Sequence, residues 1–171
     1  AWLVEKWSRT LQNVPLIQQV DVLVVGAGSA AVAAALEARR KGASAMVLSD
    51  RSYFGDESAG ALRLHDPGTS NDALFADAFA SKHAGPPYPG AVKRKLEQSL
   101  LRAGVPFLFL VRPIGVLRDA KDALCGVVIA GRTSLYAIGC RAIVDASRHG
   151  LISKLARSTP AAARQRSKSL T

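Results

Sequence analysis

With 171 residues, 49% of them apolar, the chain is about one domain long and able to bury a core. No apolar run is long enough to cross a bilayer as a helix, which leaves a soluble globular reading. The formal charge of +10 invites a nucleic-acid reading, yet no acidic residue follows Asp145, whereas Arg148, Lys154, Arg157, Arg164, Arg166 and Lys168 do, so much of the excess belongs to the C-terminal end.

Residues 1–20 hold Trp2, Trp7, Leu11, Leu16 and Ile17 at mixed spacing, interrupted by Pro15. A short helix and then a lead-in to the first strand is the expectation, with the two tryptophans packed on a core. The sequence opens at Ala1 and lacks the basic-then-apolar order of a signal peptide, so a processed, excised or partial chain is expected.

Asp21-Val22-Leu23-Val24-Val25 then runs into Gly26-Ala27-Gly28-Ser29-Ala30-Ala31 and an alanine-rich segment that reads as helix to Lys41, stopped by Gly42. Strand, tight turn and helix N-terminus in that order form the layout that binds a dinucleotide pyrophosphate. Gly26 permits the turn, Gly28 lacks a Cβ where a phosphate must approach, and Ala31 is small enough for the helix to lie close on the strand. Free N–H groups and the positive end of the helix dipole would then face the anion, with Ser29 and Ala30 among the cofactor-binding candidates.

Ala45 to Leu48 reads as a second buried strand, and right-handed crossover sets it beside the first in parallel. A carboxylate is usual at its end, where it accepts hydrogen bonds from the adenosine ribose. Ser49 falls at that position and Asp50 follows it, so either residue is a candidate. Arg51 after the strand could instead meet a 2′-phosphate, which keeps a nicotinamide cofactor, NAD(P), open as an alternative.

The next segment, Arg51-Ser52-Tyr53-Phe54-Gly55-Asp56-Glu57-Ser58-Ala59-Gly60, following a β-α-β unit, resembles the N-terminal part of FAD-dependent oxidoreductases of the glutathione-reductase-like flavoprotein superfamily. It is similar in particular to the branch described as FAD-dependent oxidoreductase or xanthan-lyase-like proteins. The resemblance implies that this loop, with Gly55, lies along the FAD diphosphate. Family members usually carry a second glycine where this chain has Asp56, and a carboxylate there would repel a diphosphate unless it points away or reaches a hydroxyl.

Asn71 to Ser81 has a helical pattern, and His65 and His83 lie in loop-like surroundings. Pro86-Pro87-Tyr88-Pro89 is a stiff lead into a helix over Gly90 to Ala103, in which Val92, Leu96 and Leu100 recur every four residues before Gly104 stops it. A strand over Val105 to Val111 follows. The resemblance implies that the backbone near Pro113 contacts adenine. Ile114 to Arg118, Ala123 to Ala130 and Thr133 to Ile138, joined by short turns, predict an antiparallel meander. Such a meander is a feature of the resembled FAD fold and favours FAD over a nicotinamide cofactor.

Cys140 to Gly150 is similar to a further segment of that family, in which a parallel strand ends in small residues that let FAD pass close by. Val144, Asp145, Ala146, Ser147 and Gly150 match it, and Arg148 replaces a glycine. A short helix over Leu151 to Ala156 and a polar, basic, disordered tail are expected after it. Cys125 and Cys140 have neither a C-x-x-C spacing nor a partnering histidine, and read as buried thiols of a reducing compartment, which implies a cytoplasmic location.

The fold class expected is thus α/β, a Rossmann-like parallel sheet with a three-stranded antiparallel β-meander. Residues 1–20 form a lead-in, 21–157 an incomplete FAD or dinucleotide-binding domain, and 158–171 the tail. The cofactor-binding candidates are Gly26, Ala27, Gly28, Ser29, Ala30, Ala31, Ser49, Asp50, Arg51, Gly55, Pro113, Ala146 and Ser147. The leading function is the FAD-binding portion of a flavin-dependent oxidoreductase with an unknown small-molecule substrate. The alternatives are a dehydrogenase domain and a non-catalytic protein of degenerate dinucleotide fold that docks a partner through its tail. No catalytic residue and no metal site is assigned, neither membrane nor nucleic acid is an expected partner, and the resemblance implies that a further C-terminal segment or a partner chain completes the FAD domain.

Overall fold

The structure, a computed structural model, describes residues 14–62 and 87–158. The helix expected over 71–81, His65, His83, both tryptophans and the tail beyond Ser158 lie outside the described residues. One six-stranded sheet forms the centre, in the order β3-β2-β1-β6-β5-β4. Its strands are β1 (Leu16–Val25), β2 (Ala45–Leu48), β3 (Phe107–Leu108), β4 (Arg112–Arg118), β5 (Leu124–Ala130) and β6 (Leu135–Asp145). The helices are α1 (Ser29–Arg40), α2 (Pro89–Arg102) and α3 (Leu151–Ser158), with one π-helical turn at Asp56–Gly60.

β1 pairs in parallel with β2 on one side and with β6 on the other, so the β1-α1-β2 unit has the crossover its sequence predicts. Alternation along the strands then divides the core. Val24 and Val47 face α1 and α2 and pack with Val32, Val92, Leu96 and Leu100. Their neighbours Leu23, Val25, Met46 and Leu48 face the other way and join Val127, Ile129, Ile138 and, from α3, Ile152.

Three elements differ from the sequence expectation. β1 starts at Leu16, inside the segment read as a lead-in, because its first half has a partner in β6, with Leu16 opposite Ala137. The strand expected over 105–111 shrinks to two residues. Among the described residues it pairs only with β2, and Leu110 turns the chain away at φ 57°. The meander's third strand and the following parallel strand are one continuous β6: its first half is antiparallel to β5, and the strand runs parallel to β1 from Ala137 to Asp145.

Candidate functional site

A cleft of about 510 Å³ opens at the C-terminal ends of β1, β2 and β6, beside the N-terminus of α1. In a sheet of this kind ligands bind at that edge. Gly26 ends β1 against the end of β6: a Cβ on it would lie 2.4 Å from the Ala146 carbonyl oxygen, so no other residue fits without moving a strand. The Gly26 N–H donates to the Leu48 carbonyl (2.9 Å) and the Ala146 N–H to the Val25 carbonyl (2.9 Å), tying the three strand ends together.

The loop after β2 is pinned from beneath. Phe54 is fully buried against Phe107 and Phe109, with ring centroids 5.3 and 4.9 Å away. Gly55, at φ 90°, then turns the chain into the π-helical turn. The N–H groups of Gly55 (2.8 Å) and Asp56 (3.4 Å) both donate to the Ala27 carbonyl, which latches this turn onto the glycine loop. Lys93 from α2 lies 3.5 Å from the centroid of the Tyr53 ring and steadies the same loop from outside.

Helix α1 has no side-chain cap of its own. Its N-cap is Gly28, and no acidic residue stands in its first turn. The carboxylate comes instead from Glu57, which accepts hydrogen bonds from the Ser29 N–H (2.7 Å) and from the Ser29 hydroxyl. Asp56 is held by Arg148 (2.6 Å) and lies 3.6 Å from Arg51. The two residues that depart from the family's glycines therefore pair with each other across the cleft.

Asp145 at the end of β6 accepts from the Ser147 N–H (3.2 Å), the Ser147 hydroxyl and the Ser153 N–H (3.1 Å). Burial pushes its carboxyl up, but these hydrogen bonds, with another from the Ile152 N–H, outweigh it and hold the group below its ordinary value of 3.8. Ser147 in turn accepts the Leu151 N–H through its hydroxyl (2.8 Å), so the pair fixes the start of α3 at the cleft wall.

Of the residues expected from sequence, Gly26 to Ala30, Asp50, Arg51, Pro113, Ala146 and Ser147 line this one cleft. Ala31, Ser49 and Gly55 do not reach it. Ala31 is buried between α1 and the sheet, and Gly55 is buried beneath the π-helical turn. Ser49 is 1% exposed, and its hydroxyl donates to the Arg51 carbonyl (3.1 Å) and accepts the Arg51 N–H (3.0 Å). Between the two ribose candidates, Asp50 is the one at the cleft. Glu57, Arg112, His149 and Lys154 also line it and were missed. His149 could have been found from its place beside the Ala146-Ser147 turn, whereas nothing in the spacing of Glu57 announces its reach to Ser29.

The sequence matches the FAD dependent oxidoreductase family over residues 21–169. The chain belongs to that family. FAD is therefore its cofactor, in preference to the nicotinamide alternative. Among solved structures, it is similar to THI4 of Thermovibrio ammonificans, with 18% identity and a TM-score of 0.63, over 90% of this chain and 65% of that one. It is also similar to the bacillithiol disulfide reductase of Bacillus cereus (20% identity, TM-score 0.57, 75% of this chain and 39% of that one). A third likeness is to the 3-ketosteroid-Δ4-(5α)-dehydrogenase of Rhodococcus jostii (16% identity, TM-score 0.53, 78% and 46%). At these identities the likeness is one of fold, and the chain spans 65% or less of each of these proteins. No curated protein sequence matches the chain significantly. Among the described residues, no helix is long and apolar enough to cross a membrane.

Proposed function

We propose that this chain holds the ADP half of FAD in the cleft between β1, β2 and β6, within an oxidoreductase whose substrate site lies elsewhere. The observation that carries the reading is the strand-end junction at Gly26, which sets the Gly28–Ala30 backbone and the α1 N-terminus at one edge of the sheet. In this reading Gly28, Ser29 and Ala30 face the diphosphate, Asp50 accepts from the adenosine ribose, and the Pro113 backbone lies along the adenine. Ala146 and Ser147 let the cofactor pass the end of β6. When bound, FAD supplies the redox chemistry by accepting a hydride or electrons, and this chain's residues bind and orient it.

The order of the β-α-β unit, the loop from Arg51 and the meander supports a place in the glutathione-reductase-like branch. The limited span relative to the similar structures supports a need for a further segment or a partner chain to cover the flavin. Two free thiols, Cys125 and Cys140, support a cytoplasmic location.

Visible absorption of the purified chain, soaked in FAD and desalted, tests the reading, with retained flavin as the expected result. Gly28→Val is the matching variant. The φ of Gly28, −83°, suits any L residue, so the loss would be steric and not conformational. Affinity for FAD should fall by about a hundredfold or more. Undiminished FAD affinity in a folded Gly28→Val chain would overturn the assignment of the glycine loop.

A further inference from the structure

Part of the anion-binding surface of the cleft is already occupied by the chain itself. The first-turn N–H of Ser29, which a diphosphate would use, donates to Glu57. The space left by the missing side chain of Gly28 is filled by the same carboxylate: a Cβ there would lie 2.6 Å from Glu57 Oε2. The guanidinium of Arg148, and that of Arg51 beyond it, face Asp56. Both acids belong to one π-helical turn, latched to the glycine loop at the Ala27 carbonyl. Of the charged side chains lining the cleft, Arg51, Arg112, Arg148 and Lys154 are set against Asp50, Asp56 and Glu57, so the cleft's cationic charge is largely cancelled before any ligand arrives.

We infer that the acidic pair Asp56–Glu57 is an internal stand-in for the diphosphate of a dinucleotide, which must be displaced from Ser29 and Arg148 before the cofactor can bind. The inference rests on the reading of this cleft as the FAD site. An incoming diphosphate cannot share the Ser29 donors and the Gly28 surface with a carboxylate at hydrogen-bonding distance, because two anions there repel and overlap. Binding therefore costs the helix cap and the Arg148 ion pair, and the chain's own acids set the affinity. Once the two carboxylates have swung aside, Arg148 and Arg51 are free to meet the diphosphate that replaces Asp56.

The test is FAD affinity, read by flavin fluorescence, in the wild-type chain and in Glu57→Ala, Glu57→Gln and Asp56→Asn, alongside the melting temperature of each chain without ligand. Loss of the Glu57 charge should tighten FAD by about tenfold or more, and Asp56→Asn should tighten it as well. Inorganic pyrophosphate should follow the same order, because it carries the displacing group alone. The ligand-free Glu57→Ala chain should melt at a lower temperature than wild type, since it has lost its helix cap. A group that stabilises the fold while opposing the ligand moves the two readouts in opposite directions, which a purely structural cap does not. Unchanged or weaker FAD binding in both Glu57 variants, with wild type binding FAD, would overturn the stand-in and leave the FAD site in place. Failure of all four chains to bind FAD would overturn the FAD reading, and the stand-in with it.

Discussion

Asp145 joins the sheet to the cleft through hydrogen bonds from the N–H and hydroxyl of Ser147 and of Ser153 and from the Ile152 N–H. Its carboxyl lies below 3.8 in the folded chain, so the contribution to stability is fully present above pH 3.8 and is lost as the pH falls through the folded-state value. Asp145→Asn should therefore cost about 2 kcal/mol near neutral pH, with a deficit that shrinks once the pH drops below that of an ordinary carboxyl. Thermal melts of the two chains at neutral and acid pH check this, and a deficit of constant size would mean that the charge is not what matters. Asp145 was legible in the sequence as part of a small-residue strand end, and its partners Ser147 and Ser153 lie within eight residues. Asp56 and Arg148 are the opposite case. Each was visible as a departure from a glycine, but they stand 92 residues apart and meet only because β1 brings the ends of β2 and β6 to the same edge. Long-range pairing of two side chains leaves no periodic signal.

Helix α2 was the most legible element, since Val92, Leu96 and Leu100 repeat along one face and all three are fully buried. Its service to the cleft was not legible. A Cβ on Gly55 would lie 3.1 Å from Leu96 Cδ1, so this leucine packs directly beneath the turn that carries Asp56 and Glu57. Leu96→Ala should cost about 3 kcal/mol through the cavity it leaves, which lowers the melting temperature by about 6–12 °C. Calorimetry of the ligand-free chain measures it, and a loss below about 1 kcal/mol would show that the turn collapses into the gap. The strands were read correctly where they alternate and misread where pairing set their length. A two-residue β3 and an unbroken β6 follow from which neighbour each strand finds, and single-strand patterning carries no record of that choice.

At the scale of the molecule, β1 and β6 form the axis on which the parallel and antiparallel halves of the sheet meet. The cleft sits at the end of this axis and takes its walls from segments distant in sequence: the Gly26–Ala30 loop, Asp50 and Arg51, Asp56 and Glu57, Arg112 and Pro113, and Ala146 to His149 with Leu151. In the proposed reading all of these belong to the adenosine and diphosphate end of the cofactor, and the flavin ring extends beyond them. The binding free energy supplied by the described residues should then be almost the same for ADP as for FAD. ADP should displace FAD from the chain with a dissociation constant within about tenfold of that of FAD, a difference of no more than about 1.4 kcal/mol. Both ligands should also raise the melting temperature, because a ligand that touches several separate segments binds only the folded arrangement and stabilises it by mass action. A competition titration followed by melts at matched saturation makes the comparison. If FAD bound more than about a hundredfold tighter than ADP, this chain would be holding the ribityl and flavin groups too, and the binding surface would reach well beyond the cleft at the strand ends.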